Sequence, residues 1–209
     1  LGETDGDMDA AVEVLKKSGM AKVEKKASRI AAEGIVKTVV EGTKAAIVEV
    51  NSETDFVAKN AKFQAYVAQV AAQALTTTAA DMDAFMDEKW AADESLTVKE
   101  ALSSQISIIG ENMSIRRFAR IADGFSVPYV HMKGKIGVIV NLTVEGCDAT
   151  EIGKDIAMQI AALNPRFWDK SQVTQDVLDE EKEVMLGQMA NDPKMANKPD
   201  QVKDCLLYT

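Results

Sequence analysis

The stretch VEVNSETDFVAKN, residues 48–60, joins a predicted strand to a predicted helix. Residues 45–50 (AAIVEV) are apolar and rich in β-branched side chains, which is typical of a short strand. From Phe56 to about Leu75, apolar residues recur at steps of three and four, which predicts one helix. Its candidate N-caps carry side-chain oxygens: Ser52, Thr54 and Asp55. The sequence therefore places an aromatic ring beside a carboxylate where two regular elements meet.

A hairpin followed by an Ala-rich helix occurs twice, at residues 34–75 and again at 129–163. Between them, residues 76–95 read as a solvated connection with short helical pieces, 97–108 as a helix and 113–121 as a half-buried strand. We interpret the repetition as an internal duplication. The predicted fold is α+β: two related subdomains, each an antiparallel sheet with packed helices, plus a projecting coiled-coil-like helical segment.

The domain boundaries follow from this pattern. We predict an N-terminal helical remnant and linker over residues 1–33, a first core subdomain over 34–125 and a second over 126–209, with the projecting segment at about 170–203. In that segment an apolar stripe suits a two-helix coiled coil: Val173, Val177, Met185 and Met189.

Composition excludes several classes of protein. With 209 residues, 46% of them hydrophobic, the chain can bury a core, and its net charge of −9 argues against nucleic acid or anionic lipid as partners. No apolar run approaches the ~20 residues of a membrane span. Cys147 and Cys205 fit neither a disulfide scaffold nor a metal motif, so we expect no metal and a cytoplasmic location.

Several motifs resemble one known family in the same order along the chain: TDFVAKN, then FQAY, IGEN at residues 109–112, IRR at 115–117 and YVHMKGKIGVIV at 129–140. The family is bacterial elongation factor Ts, the nucleotide-exchange factor of the translational GTPase elongation factor Tu. The resemblance runs from about residue 1 to about residue 186. It implies a guanine-nucleotide exchange factor that promotes GDP release from elongation factor Tu.

The resemblance also implies the residues that contact the partner. Asp55 and Phe56 match the family's tip, which enters beside the magnesium site of the GTPase. GDP, GTP and Mg²⁺ are bound by the partner, so this chain needs no cofactor. The remaining implied contact positions are Thr54, Val57, Ile109, Gly110, His131, Lys26 and Met20.

Five of these positions also have a purely structural interpretation. Asp55 is a plausible helix N-cap and Phe56 a plausible first core residue of the helix, since Phe is usually buried. Ile109 suits a buried helix end and His131 an exposed strand. Lys26 is of a type that mostly faces solvent.

Two other functions compete with exchange. The chain could be a structural or scaffolding module that leaves nucleotide affinity unchanged, or a hydrolase that uses Glu53, Asp55 and His131. No G-x-S-x-G elbow, P-loop or G-x-G-x-x-G motif is present in the sequence. We therefore predict no catalytic residue and no enzyme.

The two ends carry further expectations. The helix predicted at residues 9–17 resembles the last helix of a ubiquitin-associated-like domain, which implies a shortened N-terminus. The family's projecting helical hairpin supports a homodimer. Here only residues 200–209 remain for the return arm, ~15 Å of helix against ~30 Å outgoing, so we expect a missing stretch between Lys203 and Cys205.

Overall fold

The computed structural model describes residues 14, 23, 25–192, 194–195, 198–199, 201–202 and 205. The chain forms two compact units, Leu1–Leu163 and Asn164–Thr209. The domain boundaries that we predict at 33/34 and 125/126 stay predictions. Most of the helix predicted at 9–17 and most of the return arm lie outside the described residues.

The first unit combines antiparallel strands with helices, as in other α+β folds. Its strands are β1 Glu33–Glu41, β2 Lys44–Ser52, β3 Lys89–Trp90, β4 Asp93–Thr97, β5 Met113–Ile121, β6 Phe125–His131 and β7 Ile136–Leu142. Its helices are α1 Asp55–Ala58, α2 Ala61–Thr76, α3 Met82–Asp87, α4 Val98–Ile109 and α5 Thr150–Leu163. None of the helices described is long and apolar enough to cross a membrane.

The first sheet has the antiparallel order β1-β2-β5, with β2 in the middle. The predicted hairpin is confirmed, since Glu41 pairs with Lys44 across its turn. The strand predicted at 113–121 is confirmed with the same bounds and pairs with β2. The sheet and α2 share one core, whose fully buried side chains include Val48, Val50, Phe63, Val67 and Val70.

The hairpin β6–β7 packs closely against the first sheet. The backbone N–H of Val36 in β1 donates to the carbonyl of Gly134 at 2.7 Å. A Cβ atom at Gly137 would lie 2.3 Å from Cγ1 of Val36, so only glycine allows this approach. Helix α5 covers the same hairpin and meets Val127 through Gly153. Antiparallel sheets with packed helices confirm the predicted α+β class.

The predicted single helix from Phe56 to Leu75 is wrong, because the helix is interrupted. Helix α1 ends at Ala58 and α2 begins at Ala61. Between them Asn60 is extended, and its side-chain oxygen accepts a hydrogen bond from the amide of Lys62 at 2.8 Å. A new N-cap starts a new helix at this point. Phe56 therefore does not belong to the buried face of α2.

Residues 76–95 contain more structure than the predicted solvated connection. Helix α3 and the hairpin β3–β4 occupy this segment, and both Phe85 and Trp90 are buried. The side-chain amide of Gln73 fixes the hairpin, since its Nε2 donates to the carbonyl of Lys89 and its Oε1 accepts from the amide of Ala91. A strand of two residues is too short to show periodicity, which is why the pattern missed it.

The second unit is exposed along its helical segment. A short 3₁₀ turn at Lys170–Gln172 precedes α6 Gln175–Asn191, which confirms the predicted helix here. Arg166 pairs with Glu181 at 2.6 Å. No residue of α6 is fully buried, and of the predicted apolar stripe Met185 is exposed while Val173, Val177 and Met189 are half-buried.

Tyr66 offers a direct test of the core. Its side chain is 2% exposed, and its hydroxyl has no hydrogen-bond partner among the residues that the structure describes. Burying an unpaired hydroxyl costs about 1–3 kcal/mol. We expect Tyr66→Phe to raise the free energy of unfolding by about 1 kcal/mol, measured by urea denaturation.

The same substitution should change the response to alkali. Burial raises the pKa of Tyr66 above its ordinary value of 10.0, so the folded state keeps the proton that the unfolded state loses. Stability therefore falls as the pH rises above about 10. The variant should lose less stability than the parent above that pH, and an equal loss in both would contradict the assignment.

Candidate functional site

The tip of the candidate site is helix α1, a single turn of four residues. Thr54 is its N-cap, and the Thr54 hydroxyl accepts a hydrogen bond from the amide of Val57 at 3.4 Å. Thr54 therefore takes the capping role that the structural interpretation gave to Asp55, which is the first residue of the helix instead. Val57 and Ala58 face inward and belong to the core.

Phe56 points outward from this turn. Its side chain is 80% exposed, although Phe is among the residue types most often buried. The interpretation of Phe56 as the first core residue is therefore wrong, because the break at Asn60 places it outside the buried face of α2. An exposed aromatic ring on an ordered turn is a ready anchor for a partner protein.

Asp55 forms an ion pair within the same turn. The Lys59 ammonium donates to the Asp55 carboxylate at 2.6 Å, and this hydrogen bond holds the pKa of Asp55 below its ordinary value of 3.8. The charge of Lys135, from the turn between β6 and β7, acts in the same direction. The tip therefore presents a carboxylate that stays ionised at neutral pH beside the exposed ring.

Lys59→Ala should return the pKa of Asp55 toward 3.8, because the variant lacks the main group that lowers it. A carboxyl whose pKa is lower in the folded state than in the unfolded state stabilises the fold at a pH above its unfolded-state pKa. That stability is lost as the pH falls through the folded-state pKa. The parent should therefore lose more stability than Lys59→Ala on acidification below about pH 4. Carboxyl NMR titration measures the pKa directly. Lys62→Ala is the control and should leave the titration of Asp55 unchanged.

The loop that follows α4 holds the tip. The Glu111 carboxylate accepts from both the hydroxyl and the amide of Thr54, at 2.7 and 3.0 Å. In return, the Glu53 carboxylate accepts from the amide of Asn112 at 2.5 Å. The sequence analysis named Glu53 only beside Asp55 and did not name Glu111. The one sequence signal for Glu111 is its place directly after the helix-ending Gly110.

Ile109 and Gly110 lie at the base of this loop. Gly110 ends α4 in the left-handed conformation with φ of 90°, where its amide donates to the carbonyl of Ile106. Ile109 is partly buried against the core, whereas its neighbour Ile108 is 59% exposed. Lys26 is half-buried and donates to the Gly110 carbonyl at 2.7 Å, so it braces the loop from within the chain. The structure thus brings three predicted positions to the tip's support.

His131 lies at the end of β6, exposed to solvent. Its Nδ1 is 2.8 Å from the hydroxyl of Tyr129, and the two rings stack with centroids 5.9 Å apart. Lys135, across the turn, forms an ion pair with Glu33, the first residue of β1. Glu33 pairs with Ser52 directly before the tip, so this turn and the tip meet at one end of the first sheet. Met20 lies outside the described residues.

The three residues of the hydrolase hypothesis have separate partners. Glu53 binds the loop at Asn112, Asp55 binds Lys59 and His131 binds Tyr129. An open groove of about 800 Å³, lined by residues such as Thr43, Asn141 and Asp148, contains none of the three. Within the described part of the chain, no group of His, Cys, Asp and Glu side chains is arranged to hold a metal ion.

Comparison with known proteins assigns the family. The family model described as Elongation factor TS matches residues 53–207. Elongation factor Ts of Clostridium tetani (strain Massachusetts / E88) is 45% identical over 99% of this chain and 69% of its own length. The protein of the same name from Clostridium novyi (strain NT) is 45% identical over 99% and 68%, and that from Halothermothrix orenii 43% over 93% and 66%. This chain thus spans about two thirds of its relatives' length and belongs to the elongation factor Ts family of translation elongation factors.

Proposed function

We propose that this chain is a guanine-nucleotide exchange factor that promotes GDP release from elongation factor Tu. The observation that carries the proposal is the position of Phe56. Its side chain is 80% exposed on the single helical turn that follows β2, beside the ionised carboxylate of Asp55. Membership of the elongation factor Ts family supports the choice of partner.

The mechanism is one of binding. A GTPase holds its nucleotide through phosphate-binding loop amides and a Mg²⁺ ion that bridges the phosphates. A protein that binds the nucleotide-free state better than the loaded state weakens nucleotide binding, and the nucleotide weakens that protein's binding by the same factor. Phe56 and Asp55 enter beside the Mg²⁺ site and disturb this grip. The chain itself needs no catalytic residue, cofactor or metal, and it works in the cytoplasm.

One ring is not sufficient for this work. Nanomolar nucleotide binding is worth about 12 kcal/mol, whereas burying one Phe side chain contributes about 1.5–3 kcal/mol. A wider interface must hold the GTPase while Phe56 acts as a hot spot within it. Ile109 with Gly110, and His131 on the second hairpin, provide further contact positions. Val57 and Lys26 contribute from within the chain, by supporting the tip and its loop.

The test is release of a fluorescent GDP analogue from elongation factor Tu. Addition of this chain should accelerate release, and excess unlabelled GDP should displace the chain from the GTPase. A scaffolding module would instead stay bound at any GDP concentration. Binding without acceleration and without displacement by GDP would overturn the exchange function.

A further inference from the structure

The single turn α1 cannot hold its own shape. Four residues form about one helical turn, and a first turn is costly because several residues are ordered for one hydrogen bond. The orientation of the Phe56 ring must therefore be set by contacts from outside the turn. Its inward residues, Val57 and Ala58, fix the depth of the turn in the core.

Glu111 makes the contact that fixes the cap. Its two carboxylate oxygens bind the same residue, with Oε1 accepting from the Thr54 hydroxyl at 2.7 Å and Oε2 from the Thr54 amide at 3.0 Å. Hydrogen bonds to an ionised acceptor are the strong ones, and two from one group restrict rotation. Because the Thr54 hydroxyl donates to Glu111, its lone pairs are directed toward the Val57 amide.

Glu111 itself stands on a rigid base. The helix α4 before it is buried at Leu102 and Ile106, and Gly110 closes that helix in the left-handed conformation. The Lys26 ammonium holds the Gly110 carbonyl at 2.7 Å. The position of the tip is thus tied to the core across 57 residues of sequence.

A second carboxylate, that of Glu53, attaches the loop after α4 to the chain before the tip, independently of Glu111. Glu53 accepts from the Asn112 amide, and the Asn112 side chain donates to the carbonyl of Arg29 at 2.7 Å. These bonds hold the loop after α4 beside the end of β2 without involving the N-cap Thr54 or α1. Removal of the Glu111 carboxylate therefore leaves the loop attached and frees the cap.

We propose that Glu111 is a positioning residue that sets the direction of the Phe56 ring for insertion into the GTPase. The inference rests on the proposed function and deepens it. It gives Glu111 no contact with nucleotide or Mg²⁺. Glu111 acts before binding, because it keeps the tip in the orientation that fits the partner. The tip then does not have to be ordered during binding, which is the benefit of preorganisation.

Glu111→Ala should lower the maximal rate of stimulated GDP release roughly tenfold, since small misplacements of a positioned group are costly. The concentration of factor that gives half of this maximal rate should change less, because the rest of the interface remains. Glu111→Gln keeps one oxygen acceptor and should lie between the parent and Glu111→Ala. Glu94→Ala removes an exposed carboxylate elsewhere and serves as the charge-matched control.

A double-mutant cycle with Phe56→Ala distinguishes positioning from plain stabilisation. If Glu111 acts through the ring, Glu111→Ala should slow release less than about twofold in the Phe56→Ala background. Melting curves of all four proteins show whether the fold survives, and Glu111→Gln carries the test if Glu111→Ala unfolds.

Each outcome has a distinct meaning. A tenfold loss that is equally large in the Phe56→Ala background, or no loss at all, overturns the role of Glu111. An unchanged rate in Phe56→Ala alone excludes the wedge role of the ring and overturns this inference with it, whereas a parent chain that does not accelerate GDP release overturns the proposed function. A loss that tracks the melting temperature across both Glu111 variants shows a structural role and also overturns the inference.

Discussion

Phe56→Ala is expected to slow stimulated GDP release about a hundredfold, which corresponds to about 2.7 kcal/mol. An aromatic anchor at the centre of an interface carries a loss of this size. The free energy of unfolding should change by less than about 0.5 kcal/mol, as for other surface substitutions, because the ring is 80% exposed in the free protein. Release of a fluorescent GDP analogue and urea denaturation measure the two effects separately.

The control for this variant is another exposed apolar side chain. Ile152 on α5 is 61% exposed and lies outside the tip, so Ile152→Ala should leave the release rate unchanged. A Phe56→Ala protein that stimulates release at the parental rate would exclude the wedge role. A Phe56→Ala protein that is strongly destabilised would show instead that the ring is part of the core.

Phe63→Ala is expected to have the opposite profile. This ring, seven residues further on, is fully buried among the core residues of α2 and the first sheet. Truncating a buried Phe to Ala costs about 3–5 kcal/mol, from lost burial and from the cavity left behind. That is a large share of the 5–15 kcal/mol that stabilises a typical domain. Urea denaturation should show the loss as a lower midpoint with a similar slope.

The exchange activity of Phe63→Ala should follow its folded fraction. Under conditions where the variant is folded, its maximal release rate should approach the parental value, because the tip and its loop are unchanged. Phe63→Leu keeps most of the apolar volume and should cost less than about 1.5 kcal/mol. A loss below about 1 kcal/mol in Phe63→Ala would place this ring outside the core.

Most of the fold was accessible from sequence patterns. Alternating residues predicted β5, the helix predicted at 97–108 corresponds to α4, and the Ala-rich helix of the second repeat corresponds to α5. The helical periodicity of apolar residues gave a wrong prediction at the tip. It continued from Phe56 into α2 without revealing that Asn60 caps a new helix.

The site was less accessible than the fold. The usual burial of Phe favoured a buried Phe56, and the family resemblance favoured an exposed one. The contacts of Glu53 and Glu111 join residues almost sixty positions apart, and no periodicity encodes a pairing between two loops. Lys26 reads as a solvent-facing residue until its bond to Gly110 is seen. These contacts exist only once the core has brought α4 beside the end of β2.

The interruption at Lys59 and Asn60 makes the sequence of the tip independent of the sequence of α2. Because α2 starts from its own cap, new side chains at 55 and 56 leave the interlocking of α2 with the sheet undisturbed. Evolution or an engineer can therefore change the surface that the tip offers to a partner without redesigning the scaffold.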